Sequence, residues 1–142
     1  MKNYKMTLSL LGILFFIVAT SFLSKKTHTD EYSDLGGWVK LGTQTVSLGV
    51  NYDELNIVEA TEHFSRLKIK VSKAPIYIRN IHIIYEDDTS ESQLITHRFK
   101  KGEVSRVLDL IGYERIIKKI IFNYSRPNPG KSQAQLLVLA KQ

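Results

Sequence analysis

The sequence predicts a mostly β fold: an antiparallel two-sheet sandwich, of which the jelly roll is one form, after an N-terminal hydrophobic helix. From residue 38 onwards, segments enriched in β-branched and aromatic residues recur at intervals of roughly 8–14 residues. Turn-forming residues separate these segments, and none of them extends into a long helical period. Many short strands without long helices are typical of two antiparallel sheets packed face to face.

The hydrophobic helix is predicted for residues 1–24. A short basic stretch, 1–5, precedes an uncharged and mostly apolar stretch, 6–23. Relative to a cleavage site between Ser21 and Phe22, the −3 and −1 positions are the small residues Ala19 and Ser21, as a signal-peptide cleavage site requires. This pattern predicts a cleaved signal peptide.

An uncleaved N-terminal anchor is the second interpretation of this segment, and a buried core helix is the third. The apolar stretch reaches the lower limit of about 17–25 residues that span a bilayer. Lys25 and Lys26 follow it, so lysines flank both ends and the charge distribution does not orient the segment. A signal peptide and an anchor both predict an exported domain, periplasmic or extracellular, with membrane association through the segment in the anchored case.

The remaining chain divides into a polar tether at 25–37 and a β-sandwich domain at 38–142. The tether lacks a strand or helix period and ends in two glycines. Strands are predicted at 38–41, 45–50, 54–59, 66–71, 76–85, 93–99, 104–110, 116–124 and 134–139.

The segment 66–71 has the clearest pattern of these strands. A leucine, an isoleucine and a valine alternate in it with Arg66, Lys68 and Lys70. A period of two places the apolar side chains on a buried face and the three cations together on a wet face. That basic stripe is a candidate surface for an anionic partner, and a solvated face that discourages edge-to-edge aggregation is the alternative.

The segment 76–85 has apolar residues in both parities, which indicates burial on both faces or a bulge near Arg79 and Asn80; the bulge is favoured. We expect this strand to form a hairpin with 93–99. We expect a last hairpin between 116–124 and 134–139, since prolines and a glycine lie between them. Residues 109–121 also fit a helical period, but Gly112 and β-branched pairs favour strand, loop and strand.

Composition restricts the classes of function. The chain has no cysteine, which excludes disulfides, thiol catalysis and thiolate metal sites. Removing Lys2 and Lys5 of the targeting segment from the 20 basic residues leaves 18 against 14 acidic residues. This excess is too small and too dispersed to predict nucleic-acid binding. We expect no cofactor and no metal.

Catalytic and metal-binding patterns are weak. The acidic turn 86–91 lacks the residue order of a calcium loop. Asp109 and Glu114 are the candidate carboxylate pair of a small hydrolase, but the fold decides their separation. The histidines lie on separate segments without the spacing of a metal site: His28, His63, His82 and His97.

A second candidate site lies near a predicted turn. Arg106, Tyr113 and Arg115 form a ligand-binding cluster at a loop rim in one interpretation. In the alternative, Arg106 pairs with a carboxylate across the sheet and fixes strand register.

Four short motifs resemble a family of small exported bacterial proteins catalogued only as a domain of unknown function. These motifs are WVKLG at 38–42, KAPI at 73–76, SRVLDLIG at 105–112 and RIIKKI at 115–120. The resemblance covers 38–140. It implies a secreted β-sandwich and brings no activity with it.

We therefore predict an exported, non-catalytic binding or structural module of the cell envelope. Its partner is an envelope component, an anionic surface or a protein. The alternative is a small envelope hydrolase that uses loop carboxylates, which requires a pocket where titratable groups converge.

Overall fold

The computed structural model describes residues 36–58, 61–125 and 132–142. The predicted targeting segment and nearly all of the predicted tether lie outside these ranges. Among the described residues, no helix has the length and apolarity that a membrane crossing requires. These residues form eight strands: β1 (Val39–Thr45), β2 (Tyr52–Asn56), β3 (Arg66–Ser72), β4 (Ile76–Tyr85), β5 (Ser90–Phe99), β6 (Leu108–Asp109), β7 (Ile117–Tyr124) and β8 (Gln135–Lys141).

The strands form two four-stranded antiparallel sheets. The first sheet has the order β1-β8-β3-β6, and the second has the order β2-β7-β4-β5. The pairs β1·β8, β2·β7, β3·β6 and β4·β5 show that the chain folds as one long hairpin whose successive pairs alternate between the sheets. This is the strand order of a jelly roll. The predicted two-sheet sandwich is therefore confirmed, in its jelly-roll form.

Alternating burial in β3 shows how the sequence builds the core. Leu67, Ile69 and Val71 are almost completely buried, whereas the cations between them are half-buried on the outer face. Across the sandwich, residues such as Ile83 and Phe122 of the second sheet complete one apolar cluster with them. The predicted faces of this strand are confirmed.

The bulge in β4 explains the mixed parity of its apolar residues. The pairing of β4 with both neighbours shifts between Ile78 and Asn80. Even-numbered residues point inward before the shift, and odd-numbered residues such as Ile81 and Ile83 point inward after it. The extra residue thus keeps every isoleucine that flanks the shift in the core, and the favoured prediction is confirmed.

Three sequence predictions about strands are wrong. The predicted strand at 45–50 is not formed, because β1 ends at Thr45 and residues 46–50 lie in the connection to β2. The strands β7 and β8 do not form a hairpin, because β7 lies in the second sheet and β8 lies in the first. The segment 104–110 forms only the two-residue β6 and an isolated bridge between Val104 and Lys70. Strand, loop and strand is confirmed for 109–121, since this stretch contains no helix.

The topology brings three connections to one end of the sandwich. The β2–β3, β4–β5 and β6–β7 connections all leave the strands there. Phe64 of the first forms a backbone bridge with Arg115 of the third, and Glu86 N of the second donates to Ile116 O at 3.0 Å. Residues distant in sequence therefore meet at this end.

Candidate binding surfaces

The outer surface of the first sheet carries a basic face, which we define as Lys40, Arg66, Lys68, Lys70 and Lys141. Residues opposite one another in an antiparallel sheet project to the same side. The register places Leu139 of β8 between Lys40 of β1 and Lys68 of β3. It likewise places Lys141 opposite Arg66. The basic face therefore extends over three neighbouring strands.

No cation of the basic face forms an ion pair with a carboxylate of the described residues. The Lys68 ammonium lies 4.3 Å from the centre of the Trp38 ring, and Lys141 Nζ donates to Gly36 O at 2.6 Å. On the second sheet, by contrast, Lys119 Nζ pairs with Glu54 at 2.8 Å. Arg66 Nη2 donates to Gln142 O at 3.3 Å, and Asp109 lies opposite Arg66 on the same side of the sheet without an ion pair. The charges of Lys40, Lys68, Lys70 and Lys141 are thus not paired with a carboxylate of the described residues.

The predicted cluster of Arg106, Tyr113 and Arg115 does not form one site. Arg106 lines a depression beside β5, and Arg115 lines a different depression at the three-connection end. Tyr113 is 81% exposed. The alternative prediction, an ion pair between Arg106 and a carboxylate across the sheet, is not observed. Arg106 Nη2 instead donates to Leu94 O at 3.1 Å, and Arg106 forms no ion pair within the described part of the chain.

The depression at the three-connection end has a volume of about 330 Å³. Its lining includes side chains from all three connections: His63, Tyr85, Glu86, Asp87, Glu114 and Arg115. The Arg115 guanidinium lies 3.9 Å from the centre of the Tyr85 ring and donates to both Asp87 oxygens, at 3.0 and 3.1 Å. Arg115 also donates to Thr89 and to Ile111 O. Its donors are therefore used to hold the loops together.

A buried carboxylate, Glu91, fixes the same loop from the other side. Glu91 is 7% exposed and accepts hydrogen bonds from Ile111 N at 2.8 Å and from Gln93 Nε2 at 2.9 Å. Burial, together with the negative charge of Glu91, raises the pKa of Tyr85 well above its ordinary value. Tyr113 adopts a left-handed backbone conformation, with φ of 61°, in the loop that these contacts hold.

The acidic turn does not converge on a cation. Asp87 bonds Arg115 and Thr89, Asp88 pairs with Lys118 at 2.7 Å, and Glu91 bonds backbone and amide donors. The described residues contain no cluster of three or more metal-binding side chains. The structural partners account for these carboxylates without a ligand.

The two carboxylates of the hydrolase hypothesis belong to different surroundings. Asp109 is exposed on β6 opposite Arg66, on the side of the basic face. Glu114 lines the depression at the three-connection end, and Asp109 does not line it. No shared pocket brings the two together among the described depressions.

The sequence analysis missed one depression, which we call the edge slot. It has a volume of about 240 Å³ and lies where β5, the edge strand of the second sheet, faces the β5–β6 connection. Its lining includes Ile95, His97, Phe99, Glu103, Val104 and Arg106. The signal was the alternation of Ile95, His97 and Phe99 on one face of β5, next to a connection that we predicted as a strand.

The fold and these surfaces define a jelly-roll domain that carries a basic face on one sheet and an edge slot beside the other. The profile of the family described as "Domain of unknown function (DUF2541)" matches residues 10–140. The chain belongs to this family, which confirms the family resemblance. No curated protein matches the chain.

Solved structures of the Tobacco streak virus coat protein are similar to the chain. One, at 2.1 Å resolution, is 16% identical with a TM-score of 0.37, and the match covers 73% of this chain and 84% of that chain. A second, of the coat protein dimer, is 14% identical with a TM-score of 0.36 and has the same coverage. A likeness at this level supports no functional inference.

Proposed function

We propose that this protein is an exported, non-catalytic binding module of the cell envelope, and that its basic face contacts anionic lipid headgroups. The observation that carries the proposal is the basic face itself: cations from β1, β3 and β8 share one surface, and none of them forms an ion pair with a side-chain carboxylate of the described residues. A surface of this kind attracts anionic lipids by about 1 kcal/mol for each cation near the membrane.

The arrangement of the basic face suits a flat partner better than a small ligand. Neighbouring strands lie about 4.8 Å apart, so the cations of β1 and β3 flank β8 about 10 Å apart. Neither of the two depressions described above is lined by a residue of this face. A planar array of separated charges matches a headgroup layer, in which many phosphates are available at once.

The test compares vesicles that contain phosphatidylglycerol with vesicles of pure phosphatidylcholine, using the full chain throughout. The hydrophobic N-terminal segment meets both kinds of vesicle, so the difference in binding reports electrostatic attraction. The triple variant Arg66→Gln, Lys68→Gln, Lys70→Gln should lose most of that difference. Three cations at about 1 kcal/mol each correspond to a loss of roughly 100-fold.

A matched control removes the same charge elsewhere. Arg98, Lys100 and Lys101 are exposed at the end of β5 and in the turn that follows. The variant Arg98→Gln, Lys100→Gln, Lys101→Gln should retain nearly all of the preference for phosphatidylglycerol. In the parent this preference should weaken steeply as salt shortens the screening length. Equal losses in the two triple variants, or a parent without any lipid preference, would refute the proposal.

A further inference from the structure

The edge slot has the composition of a small-molecule site. Ile95, Phe99 and Val104 give it an apolar lining, of which Phe99 is almost completely buried. Charged and polar side chains from both walls line it as well: His97 from β5, and Glu103 and Arg106 from the connection. An apolar cavity with a few convergent polar groups is typical of ligand sites.

The connection that forms one wall of the slot is held firmly against β3. Gly102 N donates to Val71 O at 2.7 Å, and Val71 N donates to Glu103 O at 2.9 Å. Ser105 N donates to Ile69 O at 2.8 Å, and Ile69 N donates to Ser105 Oγ at 2.9 Å. The wall therefore keeps its shape without a ligand, which lowers the entropic cost of binding.

The two charged groups of the slot differ in their availability. Both Glu103 oxygens are engaged: Oε1 contacts His97 Nε2 at 2.7 Å, and Oε2 accepts from Lys100 N at 2.8 Å. The Lys100 backbone N–H and the His97 side chain hold the pKa of Glu103 below its ordinary value. Among the described residues, Arg106 donates to the backbone carbonyls of Leu94 and Val107 and forms no ion pair.

We propose that the edge slot binds a small amphipathic anion: a short aliphatic chain that enters between the sheets and carries a carboxylate that Arg106 binds. The volume of about 240 Å³ lies below the roughly 300–1,000 Å³ of sites for drug-sized ligands, so a short chain fits. The guanidinium favours the carboxylate through charge-assisted hydrogen bonds. The slot is separate from the basic face, so either proposal can fail alone.

The experiment titrates the full chain with hexanoate and, separately, with 1-hexanol, and follows the backbone amides by NMR. Hexanoate should cause saturable shifts at Phe99, Glu103 and Ser105. Arg106→Gln should weaken hexanoate at least tenfold and leave 1-hexanol unchanged, which also shows that the slot is still formed. Val104→Trp should fill the slot and abolish the binding of both compounds.

Val58→Trp is the matched control, because Val58 is 81% exposed and does not line the slot. This variant should bind both compounds as the parent does. The proposal is overturned if the parent shows no saturable shifts at these amides. It is also overturned if Arg106→Gln binds hexanoate as tightly as the parent, or if Val104→Trp still binds it.

Discussion

Asp53 is a carboxylate at only 9% exposure whose oxygens are bound by donors from two parts of the chain. Ser47 N and Ser47 Oγ both donate to it at 2.7 Å, and the Tyr124 hydroxyl donates at 2.7 Å. These bonds attach the β1–β2 connection to β7. A buried carboxylate is tolerated when its lone pairs are satisfied in this way.

Tyr124 gives the stability of the protein a predicted pH dependence. Burial and the Asp53 carboxylate raise the pKa of Tyr124 above its ordinary value of about 10. As pH rises, the unfolded chain therefore loses the phenol proton first. The stability that this tyrosine contributes is fully present below about pH 10 and is lost above it. The denaturant midpoint should fall steeply above that pH.

Tyr124→Phe should make this alkaline fall shallower and should lower stability at neutral pH by about 1–3 kcal/mol, since Asp53 loses a donor. Tyr113→Phe is the control, because Tyr113 is 81% exposed. Denaturant midpoints measured at a series of pH values check both expectations. A Tyr124→Phe curve parallel to that of the parent across the alkaline range would contradict them.

At single residues, the sequence pattern predicted which side chains of a strand face the core. It did not predict contacts between residues that only the fold brings together. The alternation in β3 was enough to assign Ile69 to the core and Lys68 to the outer face. Asp53, which lies between two predicted strands, was not singled out, because its donors come from a loop and from a strand about 70 residues later. Arg106 and Arg115 are close in sequence, yet β6 lies between them and separates their surroundings.

At the scale of elements, Arg115 acts as the clamp of the β6–β7 connection. It bonds Asp87, Thr89 and Ile111 O and covers the Tyr85 ring. Arg115→Met should release the connection. Hydrogen exchange of the amides at positions 111 and 115, which donate to Glu91 and to Phe64 O, should accelerate about tenfold for a loss of roughly 1.4 kcal/mol. The hydrogen bonds of Thr89 and the nearby Arg115 lower the pKa of Asp87, so this pKa should rise towards its ordinary value in the variant.

Lys118→Met is the control for the Arg115→Met variant. Lys118 forms an exposed pair with Asp88, and such pairs contribute little to stability. Exchange of the amides at positions 111 and 115 should therefore match that of the parent. If Arg115→Met also left exchange in this connection unchanged, the Glu91 carboxylate alone would suffice to hold the loop.

The prediction of secondary structure succeeded where the residues of a single strand were enough to reveal its geometry. The mixed parity of β4 was sufficient to predict its bulge, because a shift of one residue exchanges the two faces. The last hairpin failed because sequence neighbours usually pair, whereas a jelly roll sends β7 and β8 to opposite sheets. The segment 104–110 failed because its backbone mostly bonds β3 as an irregular wall of the edge slot.

At the scale of the whole molecule, the topology assembles surfaces that no single segment encodes. The stripe on β3 was predicted, but Lys40 and Lys141 join it only because β1 and β3 both pair with β8. The chain also passes directly from Gly37 into β1, the strand at the edge of the basic face. Any membrane attachment at the N-terminal segment would therefore keep this face near the lipid surface.

The last prediction concerns that attachment and separates the two interpretations of the N-terminal segment. Small residues at Ala19 and Ser21 favour cleavage, so intact mass spectrometry of protein recovered from the producing cell should show a chain that begins at Phe22. Such a chain would contact vesicles through the basic face without a hydrophobic anchor. Recovery of a species that retains Met1 and sediments with membranes would contradict cleavage. It would establish an anchor, with a tether of 13 residues, 25–37, that reaches at most about 45 Å.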